Sequence, residues 1–436
     1  MRDGGRIQAA IEVLADIETR HRPVNDALKD WGLSHRFAGS GDRTAIGNLV
    51  HDALRHRASY AARLGAETPR ALALAAYTLA WGKGVAGLEA ALAEPHAPEP
   101  LSDMERAGLG ADLAADLPAH VRGDFPEWLT ASFERAFGDR AAEEGAALAA
   151  RAPIDLRVNT LRGSRKKALA DLADIGTEPT PLSPLGLRVA VGTGAAKVPN
   201  VENELAYLKG LVEIQDEGSQ LAALIAAPAP DEQVLDLCAG AGGKTLAFAA
   251  LMENRGQIYA YDAEKRRFGD ILDRIRRAGA RNIQLRPPGR DDVLADLRDR
   301  MDLVLVDAPC TGTGTWRRRP DAKWRLRPNA LEMRMREQDE VLDTAARHVA
   351  PGGRLVYVTC SILPEEDEDR VAAFLERHAD FALGEPLERI AASDAATAER
   401  LGRFVRRDGA PGPVLRFSPA SSGTDGFFAA VMQRAS

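Results

Sequence analysis

The sequence predicts a Rossmann-like α/β domain over residues 223–436, preceded by a small α+β module over 123–222 and an all-helical region over 1–122. Three patterns predict it. From Gln233 onward, short apolar runs alternate with amphipathic stretches, as in a doubly wound parallel sheet. The N-terminal region is rich in Ala and Leu and keeps helical spacing. Between the two, strand-like runs mix with one short helix.

Taken in order, Ile7, Ile11, Leu14 and Ile17 share one helix face, and the same period returns from Ile46 to Leu54. It lapses in the Gly- and Pro-bearing stretch from Gly108 to Pro126. The module opens with a helix-like stretch from Glu127, then shows strand candidates at Leu156–Asn159 and Gly186–Val191 and a helix after Ser164. Its Arg157, Arg162, Arg165, Lys166 and Lys167 are candidates for phosphate contact, and equally for plain surface solubility. In the last domain strands are expected at Gln233–Leu237, Gln257–Tyr261, Asn282–Arg286, Asp302–Val306 and Arg354–Val358, with helices in the gaps. There is no internal repeat and no low-complexity tract beyond an alanine bias.

At 436 residues, 45% hydrophobic and 28% charged, the composition is that of a soluble multidomain protein rather than a disordered one. The start, Met1 to Arg6, lacks a signal-peptide run, and Ala71–Trp81 is too short to span a bilayer, so a cytoplasmic protein with no membrane partner is expected. Cys238, Cys310 and Cys360 lie far apart without a CxxC pair, which reads as free thiols, with neither a disulfide framework nor a metal site. A net charge of −7 argues against a uniformly basic nucleic-acid binder. Locally the balance differs: Trp316–Arg336 holds eight Lys or Arg residues against Asp321 and Glu332. Trp316 and Trp324 interleave with these charges, a pattern suited to stacking bases beside a phosphate backbone, and also met on solvated helix faces.

Ligands of doubly wound sheets bind beyond the carboxyl ends of the strands. Cys238 follows the first expected strand, Cys310 the fourth, and Cys360 closes the fifth, so all three thiols converge on one expected pocket. For Cys238 a buried structural thiol or a backbone contact to a cofactor is the simpler reading. The first strand runs into Asp236-Leu-Cys-Ala-Gly-Ala-Gly-Gly-Lys-Thr245, a glycine-rich turn opening a helix. This makes Cys238, Ala239, Gly240, Ala241, Gly242, Gly243 and Lys244 cofactor-binding candidates. A dinucleotide fingerprint fits poorly, because Thr245 stands where its third small residue belongs. A phosphate-binding loop fits better at Gly243-Lys-Thr245, with Leu303–Asp307 as a magnesium-holding strand, but Cys238 replaces its first glycine. Asp262 ends the second strand where a carboxylate grips ribose hydroxyls, and is also placed to cap a helix. A glycine turn with this acid suits S-adenosylmethionine, which carries a ribose but no phosphate.

Three long motifs then occur in order: Asp307-Ala-Pro-Cys-Thr-Gly-Thr-Gly314, Arg318-Arg-Pro-Asp-Ala-Lys-Trp-Arg325 and Thr359-Cys-Ser-Ile-Leu-Pro-Glu-Glu366. They resemble the Nop/Sun family of RNA cytosine-5 methyltransferases, and Gly423-Thr-Asp-Gly-Phe-Phe428 resembles that family's closing strand. Residues 42–55 are similar to the NusB-like domain of the RsmB branch, which modifies small-subunit ribosomal RNA. The resemblance implies an S-adenosylmethionine-dependent enzyme with an RRM-like module and a NusB-like RNA-binding region. Its substrate would be 16S ribosomal RNA, with transfer RNA or a catalytically inactive assembly factor as the alternatives. It assigns the attack on cytosine carbon 6 to Cys360 and the release step to Cys310. Asp307 would hold the base edge or the cofactor, and Lys244 would orient the pocket. Carbon 5 is too poor a nucleophile to take a methyl group unaided, which is why a thiolate must add first. The chain departs from the family pattern at Ala241, usually proline, and at Pro288, where an acid contacting the adenine is expected and Asp291 or Asp292 lies nearby. It departs again in the ending Val431-Met-Gln-Arg434.

Overall fold

The computed structural model describes residues 1–196, 198–289, 292–407 and 411–436; Asp291 lies outside the described residues. Packing divides the chain into two units, Met1–Ala152 with Val191–Pro199 and Trp316–Leu326, and Pro153–Ala190 with Asn200–Thr315 and Arg327–Ser436.

The first unit is helical, as the periodicity predicts. Helix Asp3–Arg20 buries Ile7, Val13 and Leu14, and helix Ser40–Arg55 buries Ile46, Leu49 and Val50. Helices continue past the Gly- and Pro-bearing stretch, through Thr130–Phe137 to Ala141–Ala149. Two later segments complete the unit. Asn48 donates to the carbonyls of Gly194 (2.9 Å) and Ala196 (3.2 Å), and Arg151 donates to Gly192 O (2.9 Å). In the second segment, Lys323 Nζ donates to Arg55 O (2.9 Å), Trp324 Nε1 to Leu54 O (2.6 Å), and Arg55 Nη1 to Arg317 O (2.6 Å).

This corrects the expectation of two base-stacking tryptophans. Trp316 is 1% exposed and stacks on Phe133 with ring centroids 6.0 Å apart. The indole of Trp324 is committed to the backbone of the helical unit. Both rings satisfy the hydrophobic demand of their own chain.

The second unit holds two sheets. The smaller contains β1 (Ile154–Val158), β2 (Thr177–Pro179), β3 (Gly186–Val189) and β4 (Val212–Ile214), in the order β2-β3-β1-β4, all antiparallel. Its helix, Arg165–Asp171, begins where expected, with Ser164 Oγ accepting from Lys167 N (3.3 Å). Leu156, Val158, Ala168 and Leu187 form its core.

The larger sheet contains β5 (Gln233–Asp236), β6 (Gln257–Tyr261), β7 (Ile283–Arg286), β8 (Met301–Asp307), β9 (Val349–Thr359), β10 (Phe381–Leu383), β11 (Val405–Arg406), β12 (Val414–Phe417) and β13 (Phe427–Arg434). Its order is β11-β12-β13-β9-β8-β5-β6-β7, with β10 beside β13. Strands β5 to β9 are parallel, the Rossmann-like core that the apolar alternation predicts. The remaining strands are antiparallel, so the sheet is mixed rather than parallel throughout. The link between β12 and β13 is too short for a parallel crossover. The ending of β13 has a local reason as well, since Arg434 pairs with Asp380 (2.9 Å) and Asp299. Because β5 lies between β6 and β8, the chain reverses its direction of sheet growth there, and the loops after β5, β8 and β9 flank the resulting crevice.

Candidate active site

Beyond β8 and β9 the structure brings two of the three cysteines together: Cys310 Sγ and Cys360 Sγ are 3.3 Å apart, and both residues are half-buried. Their loops are knitted by Gly314 N donating to Cys360 O (3.0 Å), by the Thr313 and Ser361 hydroxyls (3.0 Å), and by Ile362 N donating to Thr313 Oγ1 (3.0 Å). Glycine at 314 is required by close approach, because a Cβ there would lie 2.3 Å from Gly426 O. Buried Glu366 accepts from Thr311 N (2.8 Å) and Gln338 Nε2 (3.0 Å), while Gln338 also donates to Pro309 O (2.9 Å). Burial pushes the Glu366 carboxyl up. The adjacent Cys360 sulfur, then burial, push the Cys310 thiol well above its ordinary value. The Cys310 thiol is thus biased toward its protonated form in the resting site.

The glycine turn follows β5. Gly240 and Gly242 have φ of +53° and +84°, which L side chains rarely adopt, and Gly242 N donates to Ala239 O (2.8 Å). Helix Gly243–Leu251 starts at once. Asp262 Oδ2 accepts from Gly240 N (2.9 Å), bracing the turn, and Oδ1 from Glu264 N (2.8 Å), just ahead of the short 3-10 turn Lys265–Phe268. Lys244 Nζ donates to Asp307 Oδ2 (2.6 Å) and lies 5.4 Å from the Phe427 ring centroid. With the amine so engaged and Cys238 in place of the wrapping glycine, the turn is poorly suited to a triphosphate.

Cys238 stands apart from the thiol pair and packs on the apolar cluster that includes Leu237 and Val306. Burial, then the charges of Asp236, Asp307 and Asp262, push its thiol well up, so three carboxylates surround this position. Asp236 Oδ2 accepts from Thr245 Oγ1 (2.7 Å), whereas its Oδ1 is buried without a hydrogen-bond partner among the described residues. A left-handed glycine cradle and an orphaned carboxylate oxygen fit S-adenosylmethionine, a cation with an amino group, a diol and no phosphate. Pro288 and Tyr261 line an open cleft of about 580 Å³. Asp292 also lines it, but its carboxylate is engaged by Leu294 N (3.1 Å) and Arg298 (2.9 Å).

A family model described as 16S rRNA methyltransferase RsmB/F matches residues 223–433, and one for the RsmF/B-like ferredoxin-like domain matches residues 125–194. The relative named Probable ribosomal RNA small subunit methyltransferase B, from Synechocystis, is 32% identical over 342 residues, covering 76% of this chain and 70% of its own length. The chain belongs to the RsmB/F family of 16S rRNA methyltransferases. Ribosomal RNA small subunit methyltransferase B of Salmonella paratyphi A is 34% identical over 262 residues, which is 60% of this chain and 59% of that relative. The solved structure of PH0851 is 25% identical and aligns over 100% of this chain and 99% of its own, with a TM-score of 0.71. The RsmB/F family is one of S-adenosylmethionine-dependent methyltransferases, with which the glycine cradle after β5 is in keeping.

Within this RsmB/F chain, sequence reasoning named the thiols, the turn, Asp262, Asp307 and Lys244, but gave no role to Asp236, Glu366 or Gln338. The first two sit inside quoted motifs, whereas Gln338 lies on helix Pro328–Ala346 with no sequence mark. Four of the five basic candidates in the small module are engaged by the chain itself. Arg157 is 3% exposed and donates to Gln215 Oε1 (2.6 Å); Arg165 donates to Gly186 O (2.8 Å), Arg162 to Arg277 O (3.2 Å) and Lys167 to Asp171 (2.6 Å). Lys166 is exposed. Among the described residues there is no metal-holding cluster, and no helix is long and apolar enough to cross a membrane.

Proposed function

We propose that this RsmB/F protein methylates carbon 5 of a cytosine in small-subunit ribosomal RNA, in the cytoplasm, through a covalent bond from Cys360 to carbon 6. The 3.3 Å thiol pair at the mouth of the crevice carries the reading. The target cytosine turns out of its stack into that crevice. The Cys360 thiolate adds to carbon 6, and the electron pair so released makes carbon 5 nucleophilic. Bound S-adenosylmethionine supplies the methyl group, held by Cys238 to Lys244, Asp262 and Asp236. Asp307, fixed by Lys244, faces the ring nitrogen or the cofactor. Cys310, having released its own proton to solvent, then takes the carbon 5 proton; the C–H electron pair re-forms the carbon 5–carbon 6 double bond, and Cys360 leaves with its bonding pair as thiolate.

The cause of the Cys310 shift supports this order. Its thiol is pushed up chiefly by Cys360. Once that sulfur is bonded to carbon, the pressure is relieved and Cys310 ionises more readily, at the step where a base is needed.

The test is incubation of small-subunit RNA with methyl-labelled S-adenosylmethionine, followed by nucleoside analysis. Label is expected in 5-methylcytidine and absent with Cys360→Ala, which still binds cofactor. Cys310→Ala should slow turnover by about 10²–10⁴-fold, the range for loss of a positioned base, and accumulate a slow-migrating protein–RNA band on a denaturing gel. Label appearing only in transfer RNA would move the substrate. No label despite cofactor binding would make the chain a non-catalytic assembly factor.

A further inference from the structure

The glycine turn is not held by its own strand and helix alone. Arg274, on helix Ile271–Ala278, donates from Nη1 to Ala241 O (2.6 Å), fixing the peptide plane between Ala241 and Gly242. Its other side is gripped by Glu213 of β4: Arg274 Nη2 to Glu213 Oε2 is 3.0 Å, and Arg277 Nη2 to Glu213 Oε1 is 2.7 Å. Glu213 is 2% exposed, so these pairs form away from water, where charge-assisted bonds are strongest. The same helix begins with Ile271, against which a Cβ on Gly242 would press at 2.8 Å. It ends clamped to the small module, since Asn159 Nδ2 donates to Ala278 O (2.8 Å) and to Gly210 O (2.9 Å). A Cβ on Gly210 would meet Arg277 O at 2.0 Å, so that contact is backbone on backbone. Arg157 of β1, itself held by Gln215, adds a long 3.5 Å bond to Gly243 O.

We infer that the small module positions the cofactor turn through this splint, with Arg274 the positioning residue that turns the Glu213 anchor into affinity for S-adenosylmethionine. This rests on the turn being the cofactor site. The module would thus be more than an RNA-facing appendage: it stiffens the turn before the cofactor arrives, and lowers the ordering cost of binding. Arg277 provides an internal control. It shares the helix and the carboxylate of Arg274, but its side chain reaches Glu213 and the Tyr207 ring rather than the turn among the described residues.

The measurement is calorimetric titration of the full chain with S-adenosylmethionine and with S-adenosylhomocysteine, beside melting temperatures and steady-state kinetics. Arg274→Met should raise the Kd for both ligands and the KM for S-adenosylmethionine about tenfold, and leave kcat at saturating cofactor and the KM for RNA within about twofold. Arg274→Lys, able to reach only one of its two partners, should fall between. Arg277→Met should leave the Kd within about twofold even if it lowers the melting temperature more. Equal loss of affinity in the two Met variants, or an unchanged Kd in Arg274→Met, would overturn the splint. Failure of the unaltered protein to bind either ligand would instead remove the cofactor assignment on which it rests.

Discussion

Asp236 illustrates how much a single buried carboxyl can carry. Burial, with Asp307 nearby, pushes it from 3.8 up to about 7, while Thr245 holds one of its oxygens. A raised carboxyl binds its proton more tightly in the folded state than in the unfolded one. Stability is therefore greatest where the group is neutral, falls as pH climbs from about 4 to 7, and stays lowered above that. Asp236→Asn keeps an acceptor for Thr245 and abolishes the charge. It should melt higher than the parent at pH 8, by a margin of about 1–3 kcal/mol, and by clearly less at pH 5. Paired thermal melts at the two pH values test this, and an equal margin at both would dismiss the buried charge as the cause. The same variant should bind S-adenosylmethionine more weakly if the orphaned oxygen receives the cofactor's amino group.

Among the elements, the segment Trp316–Leu326 behaves least like its sequence. A basic run interleaved with tryptophan looks the same whether its rings meet bases or its own chain. The decision lies with Phe133 and Leu54, residues far away in sequence. By contrast, the glycine turn was legible because its demand is local: positive φ at Gly240 and Gly242 needs glycine wherever the rest of the fold lies. The core strands were legible because β5, β6 and β8 each centre on an apolar run, Val234-Leu235, Ile258–Ala260 and Leu303–Val306, whereas β2, β4, β10 and β11 are two or three residues long and leave no period to read. The segment also hides Lys323, 1% exposed and lowered by burial from 10.5 to about 7. Below pH 7 its charge is buried at a cost that the unfolded chain does not bear. Between 7 and 10.5 the folded state sheds the proton first, and stability rises; above that the cost is gone. Lys323→Met should accordingly stabilise the helical unit at pH 6, by about 1–4 kcal/mol, with the gain fading toward pH 10. A pH-independent gain in chemical denaturation would contradict this account.

At the scale of the whole molecule, an acidic chain must still hold a polyanion. An open cleft of about 830 Å³ on the small module is lined by Arg162, Lys167, Lys209 and Leu205, and exposed Lys166 sits beside Lys167. If RNA phosphates follow this face, Lys166→Ala with Lys209→Ala should weaken RNA binding, flatten its dependence on log salt by roughly 1–2, and leave the Kd for S-adenosylmethionine unchanged. Filter binding from low to moderate salt would show it, and an unaltered slope would place the RNA elsewhere. The position of β13 matters at the same scale for a different reason. It fills the middle of the sheet between β9 and β12, although it is the last strand in sequence. Leu355, Val356, Tyr357 and Val358 of β9 are wholly buried in the finished fold. During synthesis they wait with an unpaired strand edge until residues 427–434 have emerged, a long-lived sticky template of the kind that invites aggregation and chaperone capture. Premature termination anywhere before β13 should therefore yield insoluble protein rather than a smaller working enzyme.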